Sequence, residues 1–242
     1  MSNYLMDGYY RESAAEARTS ERVTFIKKTY GLVALSFLAF VGILALLTKT
    51  GIGLDIAKAM FASPVSLLVL LVLFIGTGYL ARYLARSQSS PMTQLAGLAL
   101  YVVVEALIFL PLILICTMVP KFNAIPMQAG IMTLIVVGGL TATVFISKKD
   151  FSFLGGILCT LSWVAVGVVV LAIITGGIGL GIWFSAAMIA LACGFILYDT
   201  SNILHHYPTN AHVPAALELF ASIAFLLYYV MRLMIQLAYS SE

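Results

Sequence analysis

The chain has 242 residues, 62% of them hydrophobic and only 10% charged, with a formal net charge of +3. A soluble domain carries roughly 25% charged residues, so the polar groups here cannot cover a surface facing water. The length suits one bundle rather than several domains. The basic residues never cluster with exposed aromatics, which gives no reason to expect a nucleic-acid partner. Cys116, Cys159 and Cys193 lie far apart inside apolar runs. Their odd number and lack of a pairing pattern argue against a disulfide framework or a structural zinc site, and they read as small core residues.

In chain order, the first 22 residues form a polar tail of mixed charge with no apolar period, expected to be flexible and to carry no cleavable signal. Residues 23–242 then form the membrane domain. A helix crossing the hydrocarbon core needs roughly 20 apolar residues, and seven runs meet that need: about 29–47, 65–84, 93–118, 127–147, 153–175, 182–204 and 213–236. Pro64, Pro91, Pro126 and Pro214 stand at or near helix starts, where a missing N–H costs little. Pro120 follows the third span. Pro111 lies inside it and predicts a kink. The run from Gly176 to Gly181 predicts a turn between spans five and six. Ala186, Ala190 and Gly194 recur every four residues on span six, a small-residue stripe that lets another helix approach.

Lysine and arginine set the orientation. Arg11, Arg18, Arg22, Lys27 and Lys28 in the tail, Arg82 and Arg86 after span two, and Lys148 and Lys149 after span four all fall on one side of a seven-span chain. The other side has Lys49, Lys58, Lys121 and Arg232. The positive-inside rule puts the tail in the cytoplasm. Arg232, near the end of span seven, is expected to snorkel to the interface.

Acids inside spans are costly and are functional candidates by default. They are Glu105 in span three, Asp199 in span six and Glu218 in span seven. Asp199 and Glu218 lie almost equidistant from the short turn around Pro208, so an antiparallel hairpin places them at similar depth, ~8 Å inside the boundary at 1.5 Å rise per residue. Spacing alone does not decide whether they face each other. If they do, two carboxylates in a poor dielectric cannot both ionise easily, and they titrate as a unit. A shared proton then holds the helices together, and its loss pushes them apart. The alternative for each acid is a separate hydrogen bond that only fixes packing. Asn202, His206 and Ser222 are the neighbours such a gate would use. Glu105 is either part of a polar path or a structural bond, with Pro111 freeing a carbonyl nearby. His205, His206 and His212 fit no common metal spacing. Neither His-Glu-x-x-His nor Gly-x-Ser-x-Gly occurs, so an enzyme is not expected.

The segment Gly194 to His205, centred on Tyr198-Asp199-Thr200-Ser201-Asn202, resembles the Bax inhibitor family of membrane proteins. Lys148 to Gly156, Tyr101 to Pro111 and Ala216 to Ile223 resemble other stretches of the same family, and the bacterial YccA-like branch is the most similar. The resemblance implies an all-α bundle of seven transmembrane helices around a central helix, in a bacterial inner membrane. It implies one of two activities. The first is a pH-sensitive calcium leak using an aspartate pair across spans six and seven. The second is service as substrate and modulator of an FtsH-type membrane protease, engaged through the tail. The first family aspartate falls on Asp199, but the second falls on Ser222, which cannot carry charge. Glu218, four residues earlier on the same helix face, is expected to stand in for it. No cofactor is expected; Ca²⁺ enters as a transported ion, which carboxylate oxygens suit. Besides the lipid bilayer and the protease, no partner or oligomeric state can be read from the residues.

Overall fold

A computed structural model describes residues 14–15, 17–85, 90–175 and 180–240. Most of the tail with Arg11, the 3–4 connection with Arg86, and most of the glycine turn at 176–181 lie outside the described residues. The described chain is all-α. Its helices are α1 (Thr19–Lys49), α2 (Ile52–Met60), α3 (Pro64–Ala85), α4 (Pro91–Met118), α5 (Ile125–Ser147), α6 (Leu154–Thr175), α7 (Ile182–His205) and α8 (His212–Ser240). A 3-10 turn at Pro120–Phe122 precedes α5. Seven of the eight are long and apolar enough to cross a membrane. The nine-residue α2 is too short to cross.

The expected spans agree with these helices to within a few residues at most ends, and two elements differ. Helix α1 begins at Thr19, ten residues ahead of the apolar run, so the boundary set at residue 22 falls inside a helix. Its buried stripe explains the extension. Phe25 and Thr29 continue the spacing of Val33, Ser36, Phe40 and Leu44, so one face is anchored before the apolar run starts. Helix α2 was not expected at all. Gly51 turns the chain with φ 73, a left-handed conformation that suits glycine. A Cβ on Gly53 would lie 2.6 Å from the Leu47 carbonyl oxygen. The two glycines thus fold α2 back against the end of α1. Pro64 and Pro91 open α3 and α4, as the sequence predicts, and α4 continues as helix through Pro111.

Helix α8 is the centre. In its most apolar 18-residue stretch 78% of residues are buried, against 6 to 44% in the other spans. It packs against α1, α3, α4, α5 and α7. Outward faces are apolar, with Leu38, Val72, Leu134 and Trp183 all exposed, as a bilayer solvent requires. An aromatic cluster joins three helices at the core: Phe40 of α1 meets Phe109 of α4 edge-on at 4.8 Å between ring centroids, and Phe37 of α1 meets Phe220 of α8 at 4.7 Å. Helix α6 lies at the periphery, where only Leu158 is fully buried. There a Cβ on Gly194 would lie 2.7 Å from Leu158 Cδ2. The small-residue stripe of α7 is therefore a close-packing surface for α6, at its Gly194 end.

On the side opposite the tail, α8 is tied down by polar bonds. Arg232 Nη2 and Gln236 Nε2 donate to the Leu180 carbonyl at 2.9 and 2.8 Å, and Ser185 Oγ donates to Gln236 Oε1 at 2.7 Å. Arg232 also faces the rings of Phe184 and Tyr229. It was expected to snorkel towards the interface, and the protein supplies its partner there, because the residue before Gly181 presents a carbonyl at its reach.

Candidate functional site

The acids of α7 and α8 meet where the hairpin geometry places them, about 9 Å inside the helix ends at 1.5 Å per residue. Asp199 and Ser222 are each 7% exposed. Ser222 Oγ donates a hydrogen bond to Asp199 Oδ2, joining α7 to the central helix. Ser222, where the resemblance implies an aspartate, thus supplies a hydroxyl that bonds Asp199 directly. One turn away, on the same face of α8, Glu218 Oε2 accepts from Arg82 Nε of α3 at 3.0 Å. Arg82 also stands 5.9 Å over the Tyr101 ring and lies within electrostatic range of Asp199. The site therefore holds two carboxylates, one guanidinium and one hydroxyl, contributed by α3, α7 and α8.

Close helix packing sets this geometry. A Cβ on Gly97 of α4 would lie 2.7 Å from the Ala81 carbonyl oxygen and 2.8 Å from the Ala85 amide. Backbone meets backbone there, immediately beside Arg82. The guanidinium is held at the depth of Glu218 because α3 can approach α4 this closely.

Glu105 lies deeper, about 21 Å along α4 from its start. It is 5% exposed, and its Oε2 is buried with no hydrogen-bond partner. It does not join the Asp199–Ser222 bond. The buried hydroxyls of Thr29 and Thr133 are likewise unbonded. Tyr30, Thr141 and Thr200 lie close together, from α1, α5 and α7. Together they form a polar seam within an otherwise apolar interior, where polar groups are costly unless partnered.

A second polar cluster secures the outer end of α7, and sequence reasoning did not find it. Asp150, in the α5–α6 connection, accepts from the Ser152 amide at 2.9 Å and from Ser201 Oγ at 3.3 Å. The Phe151 amide donates to Ser201 Oγ at 2.8 Å, and His206 Nε2 lies 2.9 Å from Asp150 Oδ2. The Ser152 amide first, and His206 after it, hold the Asp150 carboxyl down at about 2. His205 Nδ1 lies 3.0 Å from the Ser201 carbonyl oxygen. Adjacent histidines thus serve different partners. His206 is a neighbour of Asp150, two turns of helix from the Asp199–Ser222 bond. Asn202 contributes its backbone carbonyl, which accepts the amides of His206 and Tyr207 and closes α7. The tail reaches the same place: the Ala14 amide donates to the Tyr207 carbonyl at 2.9 Å, and Ala14 is fully buried.

Arg82 was the other omission. At the end of an apolar run it reads as an orientation marker, and only the approach of α3 to α8 makes it a site residue.

Residues 22–238 match the model of the family described as inhibitor of apoptosis-promoting Bax1. The chain belongs to the Bax inhibitor family. Among relatives of this family, an uncharacterised protein of Pseudomonas aeruginosa is 27% identical over 224 residues, covering 90% of this chain and 92% of its own. A Golgi anti-apoptotic protein of vaccinia virus is 26% identical over 230 residues, covering 94% and 92%. Bax inhibitor 1 of Schizosaccharomyces pombe is 34% identical over 106 residues, covering 43% and 40%. No solved structure matches the chain significantly. Family membership accounts for a multi-pass membrane bundle and for the Asp199 segment.

Proposed function

We propose that this Bax inhibitor family protein is a pH-sensitive cation leak, with Ca²⁺ as the cation, gated between α7 and α8. The observation that carries the reading is the count of charges at one buried place: Asp199 and Glu218 against Arg82, with Ser222 bridging α7 to α8. With one proton on the acids the site is neutral and the helices stay joined. With both acids ionised it holds an excess negative charge in a poor dielectric. That charge draws in water and a hard cation and favours separation of α7 from α8. Glu105 and the hydroxyl seam would continue the path inward. The proposed function is not enzymatic. The excess of Lys and Arg on the tail side supports a cytoplasmic N-terminus.

Ca²⁺ flux into liposomes from pH 5 to 8 tests the gate. Wild type is expected to leak more as pH rises. Asp199→Asn and Glu218→Gln each leave one acid facing Arg82, so both should flatten the profile at low flux. Arg82→Gln leaves two acids without a base, so its rise should move to higher pH, by about one unit or more for loss of an adjacent opposite charge. A Glu218→Gln profile that overlays wild type removes Glu218 from the gate. Absence of flux above empty liposomes at every pH removes the leak, and the reading becomes a modulator of an FtsH-type protease. Removing residues 1–13 should abolish that modulation and would leave a leak intact.

A further inference from the structure

A cavity of about 620 Å³ opens on the tail side of the bundle, away from the acid site, between α1, the start of α4 and the α7–α8 turn. Its walls change character with depth. Lys28, Gly31, Leu32 and Leu35 line it from α1, spaced so that they share one helix face. Lys28 stands at the outer end, and Leu35 lies about 10 Å further in. Leu95 of α4 faces the cavity at the inner, apolar part, while Asn210 and His212 of the turn face it at the rim.

Lys28 is the charged side chain at the rim, with the His212 imidazole beside it. Lys28 and His212 lie within electrostatic range of each other. Among the described residues no acid lines the cavity and Lys28 makes no ion pair. The start of α4 at Ser90 and Pro91 also lies on the cavity wall and adds the positive end of a helix dipole. Gly31 leaves the groove open: a Cβ placed there meets nothing within 4 Å. Glycine is a poor helix former, and packing gives no reason for it at this position.

We propose that this groove binds one anionic phospholipid, its phosphate against Lys28 and His212 and the upper part of an acyl chain along Leu32, Leu35 and Leu95. Two features select this occupant over others. The cavity sits where α1, α4 and α8 leave the apolar layer, so headgroups are already at hand. Its basic rim and apolar floor match the two parts of an amphiphile, which a soluble anion or a wholly apolar molecule would fill only in part. A zwitterionic headgroup brings its own cation towards Lys28, so net negative lipids are preferred.

Native mass spectrometry of the purified full chain, offered phosphatidylglycerol or phosphatidylcholine with matched chains, tests the site. Wild type should retain phosphatidylglycerol at least about fivefold better, the weight of one lysine near a membrane surface. Lys28→Gln should remove that preference. Gly31→Trp should block retention of both lipids, and it projects into open space, so its thermal unfolding should match wild type. If Gly31→Trp does not fold, Lys28→Gln alone decides. Equal retention of the two lipids by wild type, or an unchanged preference in Lys28→Gln, overturns the proposal. So does displacement of phosphatidylglycerol by millimolar inorganic phosphate, which would make the ligand a free anion. Retention that arises only once residues 1–13 are removed also overturns it, since the tail would then be the occupant.

Discussion

Asp150 is the residue whose charge can be followed most simply, because it lies in a connection outside the spans. Its carboxyl is held at about 2 by the Ser152 amide and by His206. A depressed carboxyl adds stability that is present above its unfolded value, near 3.9, and lost as pH falls through its folded one. Asp150 is thus ionised throughout the range in which cells live, and its hold on Ser201 and His206 persists there. Asp150→Asn should lower the unfolding temperature in detergent at pH 5, and the deficit should shrink as pH falls from 4 towards 2. A deficit that instead grows with acid would mean that the carboxylate does not stabilise α7. Sequence reasoning set Asp199 and Glu218 at similar depth on neighbouring helices, since a short hairpin decides depth, and Glu218 and Ser222 on one face of α8, since a 3.6-residue period decides that. It could not pair them. Which acid takes Ser222 and which takes Arg82 depends on the approach of α3, and that distance is not written in spacing.

At the scale of elements, the spans were legible because bilayer thickness sets their length and proline marks their starts. The extra turns of α1 were hidden because Phe25 and Thr29 stand among charged residues, and their burial comes from tertiary packing. Helix α2 was hidden behind a glycine pair that reads as a plain turn. Gly97 shows how one element places the site. With backbone atoms of α3 at 2.7 and 2.8 Å from a Cβ there, no flexible side chain can yield. Gly97→Val should force α3 from α4 and carry Arg82 away from Glu218. The expected result is a loss of about 1–3 kcal/mol from overpacking, read as a lower unfolding temperature, with the pH profile of flux displaced as in Arg82→Gln. A stable variant with a wild-type profile would show that Gly97 does not set the Arg82 position.

For the whole molecule, composition alone pointed to a membrane bundle, and the family resemblance supplied the central helix. The residues themselves gave little sign of which span is central: α8 carries Glu218, Arg232 and Gln236 and is less apolar than several of its neighbours. A helix enclosed by protein can carry polar groups that lipid would reject, since neighbours such as Arg82 and the Leu180 carbonyl satisfy them.

The central helix follows the other six spans in the chain and leaves the ribosome after them. Six spans must enter the bilayer and wait, with the faces that will later clasp α8 turned towards lipid or towards one another. The Arg82 guanidinium and the Asp199 side chain have to stay there without Glu218 and Ser222 until α8 has been made. Completion of the bundle therefore waits on the seventh span, and a nascent chain halted before α8 is a substrate for membrane quality control. Chains truncated after residue 211 should insert yet be cleared rapidly, and supplying residues 212–242 as a separate peptide in the same membrane should rescue them. Accumulation of the truncated chain at wild-type levels would mean that the outer helices close on their own.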